Sequence, residues 1–217
     1  MTPDRSPETK APILLVFARE PVAGQVKTRL AAAIGAEAAA AAYRELTDAT
    51  LAYAVAARVQ GIVASVELWC TPDPASPYFR ELAARHGMAL HLQCEGNLGD
   101  RMSDAIRAAL TRASAALLIG TDCPALGAAG LHAAATLLRS HNAVLGPAED
   151  GGFVLVGARV PVRFDGVDWG KAHTLRDTRA DFARAQLRWG EIAISWDVDE
   201  PADLARWRAD GAIPGCA

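Results

Sequence analysis

A chain of 217 residues with 22 basic and 25 acidic side chains carries a formal charge of −3; 51% of it is apolar and 22% charged. That length suits one core of ordinary size, and the composition is globular, far from that of a disordered chain. The acidic balance argues against a nucleic-acid binder, and no apolar run approaches the roughly 18 residues that a membrane helix needs. The opening MTPDRSPETKAP has no basic segment followed by an apolar one, so residues 1–12 are expected to be a disordered polar lead-in and no export signal. Residues 13–217 are expected to form a single cytoplasmic domain. Cys70, Cys94, Cys123 and Cys216 are scattered and form no CxxC, which reads as reduced thiols and neither a disulfide framework nor a zinc site.

From Ile13 short apolar runs alternate with helical stretches. ILLVFA (Ile13 to Ala18) is continuous, as expected of a strand buried on both faces. The Ala-rich stretch from Ala36 to Arg58 predicts a long helix. A strand near 62–70, a helix near 77–85 and a strand near 89–93 follow. Asp100 to Ala113 reads as a helix, AALLIG (Ala115 to Gly120) as a second buried strand, and 131–139 as a helix. Strands are expected at 143–146 and 153–156, a helix at 174–187, a last strand at Ile192–Trp196, and a helix at 201–208 with Pro201 in its first turn. This alternation predicts an α/β sandwich with a mainly parallel sheet, whose ligands bind beyond the carboxyl ends of the strands.

The segments after the strands therefore matter most. After the first comes a Pro/Gly loop that delivers Lys27 and Arg29 at a helix entry, an arrangement suited to phosphates or, equally, an ordinary charged surface loop. It is no Walker A loop, because the required glycines fall at Pro21 and Val26. After AALLIG comes Thr121-Asp122-Cys123-Pro124, where Asp122 is placed to hold a hard metal ion or to form a turn. Glu149-Asp150-Gly151-Gly152 combines two acids with glycines that permit close backbone approach; a tight hairpin turn is the competing reading. Asp197-Val198-Asp199-Glu200 clusters like charge beside a Pro-started helix; Asp203 reads as a cap of that helix and Asp199 as more than a cap. One basic and three acidic loops at one sheet edge are what a nucleoside di- or triphosphate with a metal ion needs. HExxH and GxSxG are absent, and His86, His91, His132, His141 and His173 lack ligand spacing.

The segments ARxPxxGxxKTRL, GNLGDRM, GTDCPxL, DGGF and DVDEPxDL, in that order, resemble a bacterial family of GT-A-fold, glycosyltransferase-like proteins (DUF2064). More distantly, the chain is similar to the 2-phospho-L-lactate and molybdenum-cofactor guanylyltransferases. The resemblance runs from about Leu14 to Leu204 and implies a nucleotide-diphospho-sugar transferase fold, a three-layer α/β/α sandwich with a mixed, mainly parallel sheet. It implies that Asp122 and Asp199 bind Mg2+ or Mn2+. The first loop, with Ala18, Arg19, Gly24, Lys27 and Arg29, would handle phosphate and base, and Asn97, Gly99 and Asp100 would border the nucleoside. Where the family commonly has Trp-Ser-Thr, this chain has Trp169-Gly170-Lys171, which removes two hydroxyls and adds a cation beside the acceptor pocket.

The expected function is a metal-dependent transferase acting on a nucleotide sugar or a nucleoside triphosphate and a small acceptor. Lys27 would support the departing phosphates and Asp150 would act as base. Glycosyl transfer is the first reading. Nucleotidyl transfer with release of pyrophosphate is the second, and a non-catalytic nucleotide-binding protein the third.

Overall fold

The computed structural model describes residues 11–210; the expected lead-in up to Lys10, and Cys216, lie outside them. In chain order the elements are β1 (Ile13–Arg19), α1 (Thr28–Ile34), α2 (Ala36–Val59), β2 (Ser65–Thr71), α3 (Pro77–His86), β3 (Ala89–Leu92) and α4 (Leu98–Leu110). They continue with β4 (Ala116–Ile119), α5 (Gly127–Leu137), β5 (Ala143–Pro147), β6 (Phe153–Ala158), α6 (Thr174–Arg184), β7 (Trp189–Glu191) and α7 (Pro201–Ala209). One sheet holds all seven strands in the order β3-β2-β1-β4-β6-β5-β7. Only β6 runs against the others, pairing antiparallel with both β4 and β5.

The sheet is covered on both faces, which is why β1 and β4 read as unbroken apolar runs. Leu14, Val16 and Ala18 of β1 face one way, into a core shared with Leu51 of α2, Phe79 of α3 and Leu131 of α5. Ile13, Leu15 and Phe17 face the other way, toward Met102 and Ile106 of α4 and Phe182 of α6. This is the period-2 alternation of a strand between two helix layers. A smaller cluster joins Leu30 of α1, Leu46 of α2, and Leu204 and Trp207 of α7 around Val198. It ties α7 to α1 and α2, the helices that follow the loop after β1.

The last strand lies elsewhere than expected: pairing with β5 covers Trp189–Glu191, not Ile192–Trp196. The ladder breaks off at Leu145 and Glu191; two residues on, Pro147 has no N–H to donate and only its carbonyl serves this side, accepting from Ser195 N–H at 2.9 Å. Beyond the break the chain keeps only an isolated bridge between Ser195 and Ala148, and Ile194 is exposed. Helix α5 begins at Gly127, earlier than its apolar spacing predicts.

Candidate functional site

The strand order reverses at β1, whose neighbours are β2 on one side and β4 on the other. Chains leave such a switch point in opposite directions and open a crevice beyond the strand ends. The loops after β1 and β4 border that crevice, and they meet there. Lys27 Nζ donates to Asp122 Oδ2 at 3.0 Å and to Asp199 Oδ1 at 3.1 Å. Arg29 Nη1 donates to Asp199 Oδ2 at 3.0 Å. The Lys27 side chain is only 6% exposed, against 38% for Asp122 and 36% for Asp199. Burial alone would lower the Lys27 pKa; the two carboxylates outweigh it and hold the ammonium above its ordinary range.

Backbone geometry explains how Asp199 arrives. Val198 N–H donates to the Asp122 carbonyl at 2.9 Å, strapping residues 197–199 alongside the end of β4. Val198 is fully buried. Its two neighbours serve different spaces: Asp199 lines a polar cleft of about 500 Å³ and Asp197 a second cavity of about 320 Å³. Phe17, Leu98, Gly120 and Asp122 line both, and Asp122 is the one charged residue of the wall they share.

Cations of the first loop border the polar cleft: Arg19, Lys27 and Arg29 line it together with Ala18, and Arg101 of α4 joins them. Its inner wall is held rigidly. Tyr43 Oη accepts from Arg19 N–H and from Thr121 Oγ1, both at 2.9 Å. Gln93 Nε2 donates to the carbonyls of Trp69 at 2.8 Å and Ala18 at 3.4 Å. Gly24, with φ of 79°, makes the loop's turn and lies outside the cleft lining. Asn97 and Asp100 cap α4 reciprocally: Asn97 Oδ1 accepts from Asp100 N–H at 3.0 Å and Asp100 Oδ2 from Asn97 N–H at 2.9 Å. Gly99 is buried where a Cβ would come within 2.9 Å of Phe164 and Trp169, so packing requires a glycine there. From this segment Leu98 and Arg101 line the cleft.

The second cavity has apolar walls, among them Phe17, Met102, Phe153 and Trp169, and carries Asp150, Asp197 and Lys171. Asp150 Oδ1 accepts from Gly152 N–H at 2.8 Å, a local turn that steadies the carboxylate. The room at Gly151 (φ 85°) is taken by protein and not by a ligand: a Cβ there would lie 2.0 Å from the Ala172 carbonyl oxygen. Leu175 N–H donates to the Gly151 carbonyl at 2.9 Å, docking the hairpin onto the start of α6. Glu149 points away, paired with Arg206 at 2.9 and 3.2 Å. Trp169 packs edge-on against Phe153 and Phe164, and its neighbour Lys171 reaches the cavity.

Sequence reasoning passed over Asp197 as one acid in a run. Burial, with Asp122 and Asp150 as further causes, pushes its carboxyl up to about 6. Spacing gave no signal, because acids two apart in an extended segment share a side, and here Asp197 and Asp199 line different cavities. Among the described residues no group of three or more His, Cys, Asp or Glu is arranged to hold a metal ion. Asp122 and Asp199 are the two carboxylates that converge on Lys27 Nζ.

The fold is shared with nucleotide-handling proteins. A protein of Desulfovibrio desulfuricans G20, provisionally named a nucleotide-diphospho-sugar transferase, superposes over 93% of this chain and 88% of its own, with a TM-score of 0.80 at 28% identity. CMP:2-keto-3-deoxy-manno-octonic acid synthetase, in complex with CTP, matches 93% of this chain and 98% of its own, with a TM-score of 0.57 at 14% identity. Glucosyl-3-phosphoglycerate synthase of Mycobacterium tuberculosis, in complex with Mn2+, UDP and glucosyl-3-phosphoglycerate, matches 94% and 77%, with a TM-score of 0.56 at 8% identity. The architecture is thus the GT-A-like, nucleotide-diphospho-sugar transferase type. No curated protein matches the chain. One family model, described as "Uncharacterized protein conserved in bacteria (DUF2064)", matches residues 50–171, more than half of the sequence, and the chain belongs to that family.

Proposed function

We propose that this protein is a divalent-cation-dependent transferase that moves a sugar from a nucleotide-activated donor to a small acceptor. One observation carries the reading: Asp122 is the one charged residue in the wall common to a cation-rimmed polar cleft and an apolar-walled cavity. A donor with its phosphates in the cleft and an acceptor in the cavity would meet there.

The residues fit Mg2+ or Mn2+. Two hard carboxylate oxygens, Asp122 Oδ2 and Asp199 Oδ1, converge on one cationic atom, the Lys27 Nζ, at 3.0 and 3.1 Å. Mg2+ is commonly held by one or two carboxylates together with phosphate oxygens and water. Asp122 and Asp199 would hold the ion, which when bound neutralises phosphate charge and polarises the phosphoryl oxygens. Arg19, Arg29 and Arg101 would bind and orient the phosphate tail. Phe17, Phe153 and Trp169 would keep water from the acceptor. Asp150 would accept the proton of the acceptor hydroxyl as its oxygen attacks the sugar carbon and the nucleoside diphosphate leaves with the bonding electron pair.

The gathering of four cations around the polar cleft, Arg19, Lys27, Arg29 and Arg101, favours nucleotidyl transfer as a second reading. There the acceptor attacks the α-phosphorus and pyrophosphate, the more highly charged leaving group, departs. A thermal-shift screen of nucleoside triphosphates and nucleotide sugars with Mg2+ or Mn2+, followed by phosphorus NMR of the best binders with an acceptor panel, tests the proposal. Nucleoside diphosphate released in step with a glycosylated acceptor supports the first reading, and pyrophosphate supports the second. Binding without turnover across the panel would make the protein a nucleotide-binding partner of another enzyme. No stabilisation by any nucleotide removes the proposal altogether.

A further inference from the structure

We propose that the Lys27 ammonium and a divalent cation are alternative occupants of one position, so that Lys27 holds the cation site closed until phosphates draw it away. The identity of the phosphate carrier rests on the function proposed above; the exclusion itself rests on geometry.

Three observations carry it. First, position: the Asp122 and Asp199 oxygens that would bind a divalent ion are the two that grip Lys27 Nζ, at 3.0 and 3.1 Å. Ligand oxygens lie about 2.0–2.1 Å from Mg2+, so an ion between these carboxylates would stand where the ammonium stands. Second, charge: Lys27 and Arg29 balance Asp122 and Asp199 one for one within the pairs formed. Within these pairs the cations cancel the charge that would attract a dication, and removal of Lys27 restores one negative charge beside Asp122 and Asp199. Third, backbone: Lys27 sits in the left-handed region at φ 47° and ψ 51°, immediately before α1. A non-glycine residue stays there only when its surroundings hold it, and here the buried ammonium is the anchor.

The same residue has somewhere to go. Lys27 lines the polar cleft, and its four-carbon stem can turn the ammonium toward phosphate oxygens arriving there. A phosphate tail then removes the competitor and supplies the ligands that two carboxylates lack. Cation and nucleotide each tighten the other's binding, as reciprocal coupling requires. Lys27 is a positioning residue in the closed state and a phosphate contact in the open one.

The experiment uses Mn2+ alone, read from the paramagnetic resonance signal of the free ion, on the wild type, Lys27→Met and Arg29→Met. Without nucleotide, Lys27→Met is expected to bind Mn2+ at least about tenfold more tightly than the wild type, a difference of about 1.4 kcal/mol. Arg29→Met, with Lys27 still in place, should move it far less. An arm on the unaltered protein covers the case in which the variant misfolds. Lys27 should react slowly with an amine-acylating reagent relative to the exposed Lys171, and Mn2+ should raise its labelling several-fold by mass spectrometry. A folded Lys27→Met that binds Mn2+ no more tightly overturns the proposal, as does Lys27 labelling that responds to Mn2+ at no concentration. Nucleotide binding by the wild type is measured alongside. If nucleotides bind while the Lys27 arms fail, only this inference falls; if the Lys27 arms succeed and no nucleotide binds, the functional proposal falls and the exclusion stands.

Discussion

Two buried ion clusters are built around this sheet, and they differ in what they open onto. Glu67, inside β2 and 5% exposed, accepts from Arg112 at 2.5 and 3.2 Å and from Trp69 Nε1 at 3.3 Å. His91 of β3, stacked on Trp69 with ring centroids 4.7 Å apart, places its Nε2 3.3 Å from the same carboxylate. That carboxylate is surrounded by donors and borders neither cavity described above. In the cluster around Lys27 the cation is the buried partner, the carboxylates are over a third exposed, and both cavities touch it. Burial and pairing are common to the two. Access is what separates a charge that staples the fold from one that is available for chemistry.

The sharpest way to break this contrast is to remove Asp122. Asp122→Asn should abolish cation-dependent nucleotide binding, because one of the two carboxylates proposed to hold the cation is lost, at the wall the two cavities share. At ligand about 100-fold above the dissociation constant, binding stabilises a fold by about 2.7 kcal/mol; the variant should show none of it in a thermal-shift assay. Retained, Mg2+-dependent stabilisation would sink the assignment. Asp150→Asn comes next. A base acting on the acceptor contributes typically ~100- to 10,000-fold to rate, so turnover at saturating nucleotide should fall in that range while the nucleotide dissociation constant barely moves. Normal turnover with a lowered melting temperature would leave Asp150 as the steadying residue of its turn with Gly152.

Much of the fold was legible because burial writes itself into composition. β1 and β4 read as uninterrupted apolar runs, since helices cover both of their faces. That the loops after β1 and β4 meet was legible through a topological rule, even though Lys27 stands 95 residues from Asp122 and 172 from Asp199. Side-chain direction was not. That Lys27 turns inward onto the carboxylates depends on α7 packing against α1 and α2 through Leu204, Trp207 and Leu30, a contact with no local signature. Likewise the last strand pairs only as far as Glu191 with Leu145, two residues short of a proline in its partner, which no reading of Ile192–Trp196 alone reveals. Asn97 and Asp100 are the reverse case. Their spacing is that of a reciprocal helix cap, a signal present in the sequence, and their side chains are engaged in that cap.

The stapling cluster makes a prediction opposite in kind. Arg112→Met should destabilise the fold by about 1–3 kcal/mol, the cost of taking the partner from a buried acceptor, because Glu67 is buried, Arg112 is half exposed, and Trp69 remains beside Glu67. Nucleotide affinity and turnover per folded molecule should stay at wild-type values. Denaturant unfolding measures the first and thermal shift with nucleotide the second. A variant that lost affinity in proportion to stability would mean that the two clusters are coupled through β1, β2 and β4, and the contrast drawn above would fail.

The smallest expected effect concerns acid. Burial raises the Glu67 pKa, but the Arg112 hydrogen bonds and charge, with His91 and Trp69, outweigh it and hold the carboxyl below its ordinary value of 4.5. A group whose pKa is depressed by folding binds fewer protons in the native than in the unfolded chain at mildly acidic pH. Its contribution is therefore complete above the unfolded value and is lost as pH falls through the folded one. Glu67→Gln removes this titration and leaves the other carboxylates as they were. The difference in unfolding free energy between wild type and Glu67→Gln should thus be flat from neutral pH down to about 5 and shrink below it. Urea titrations of both proteins across that range provide the measurement. A difference that stayed constant, or grew with acid, would mean that Glu67 is held by shape and not by charge. The cluster at Lys27 would then be the only one of the two whose ion pairs matter to the molecule.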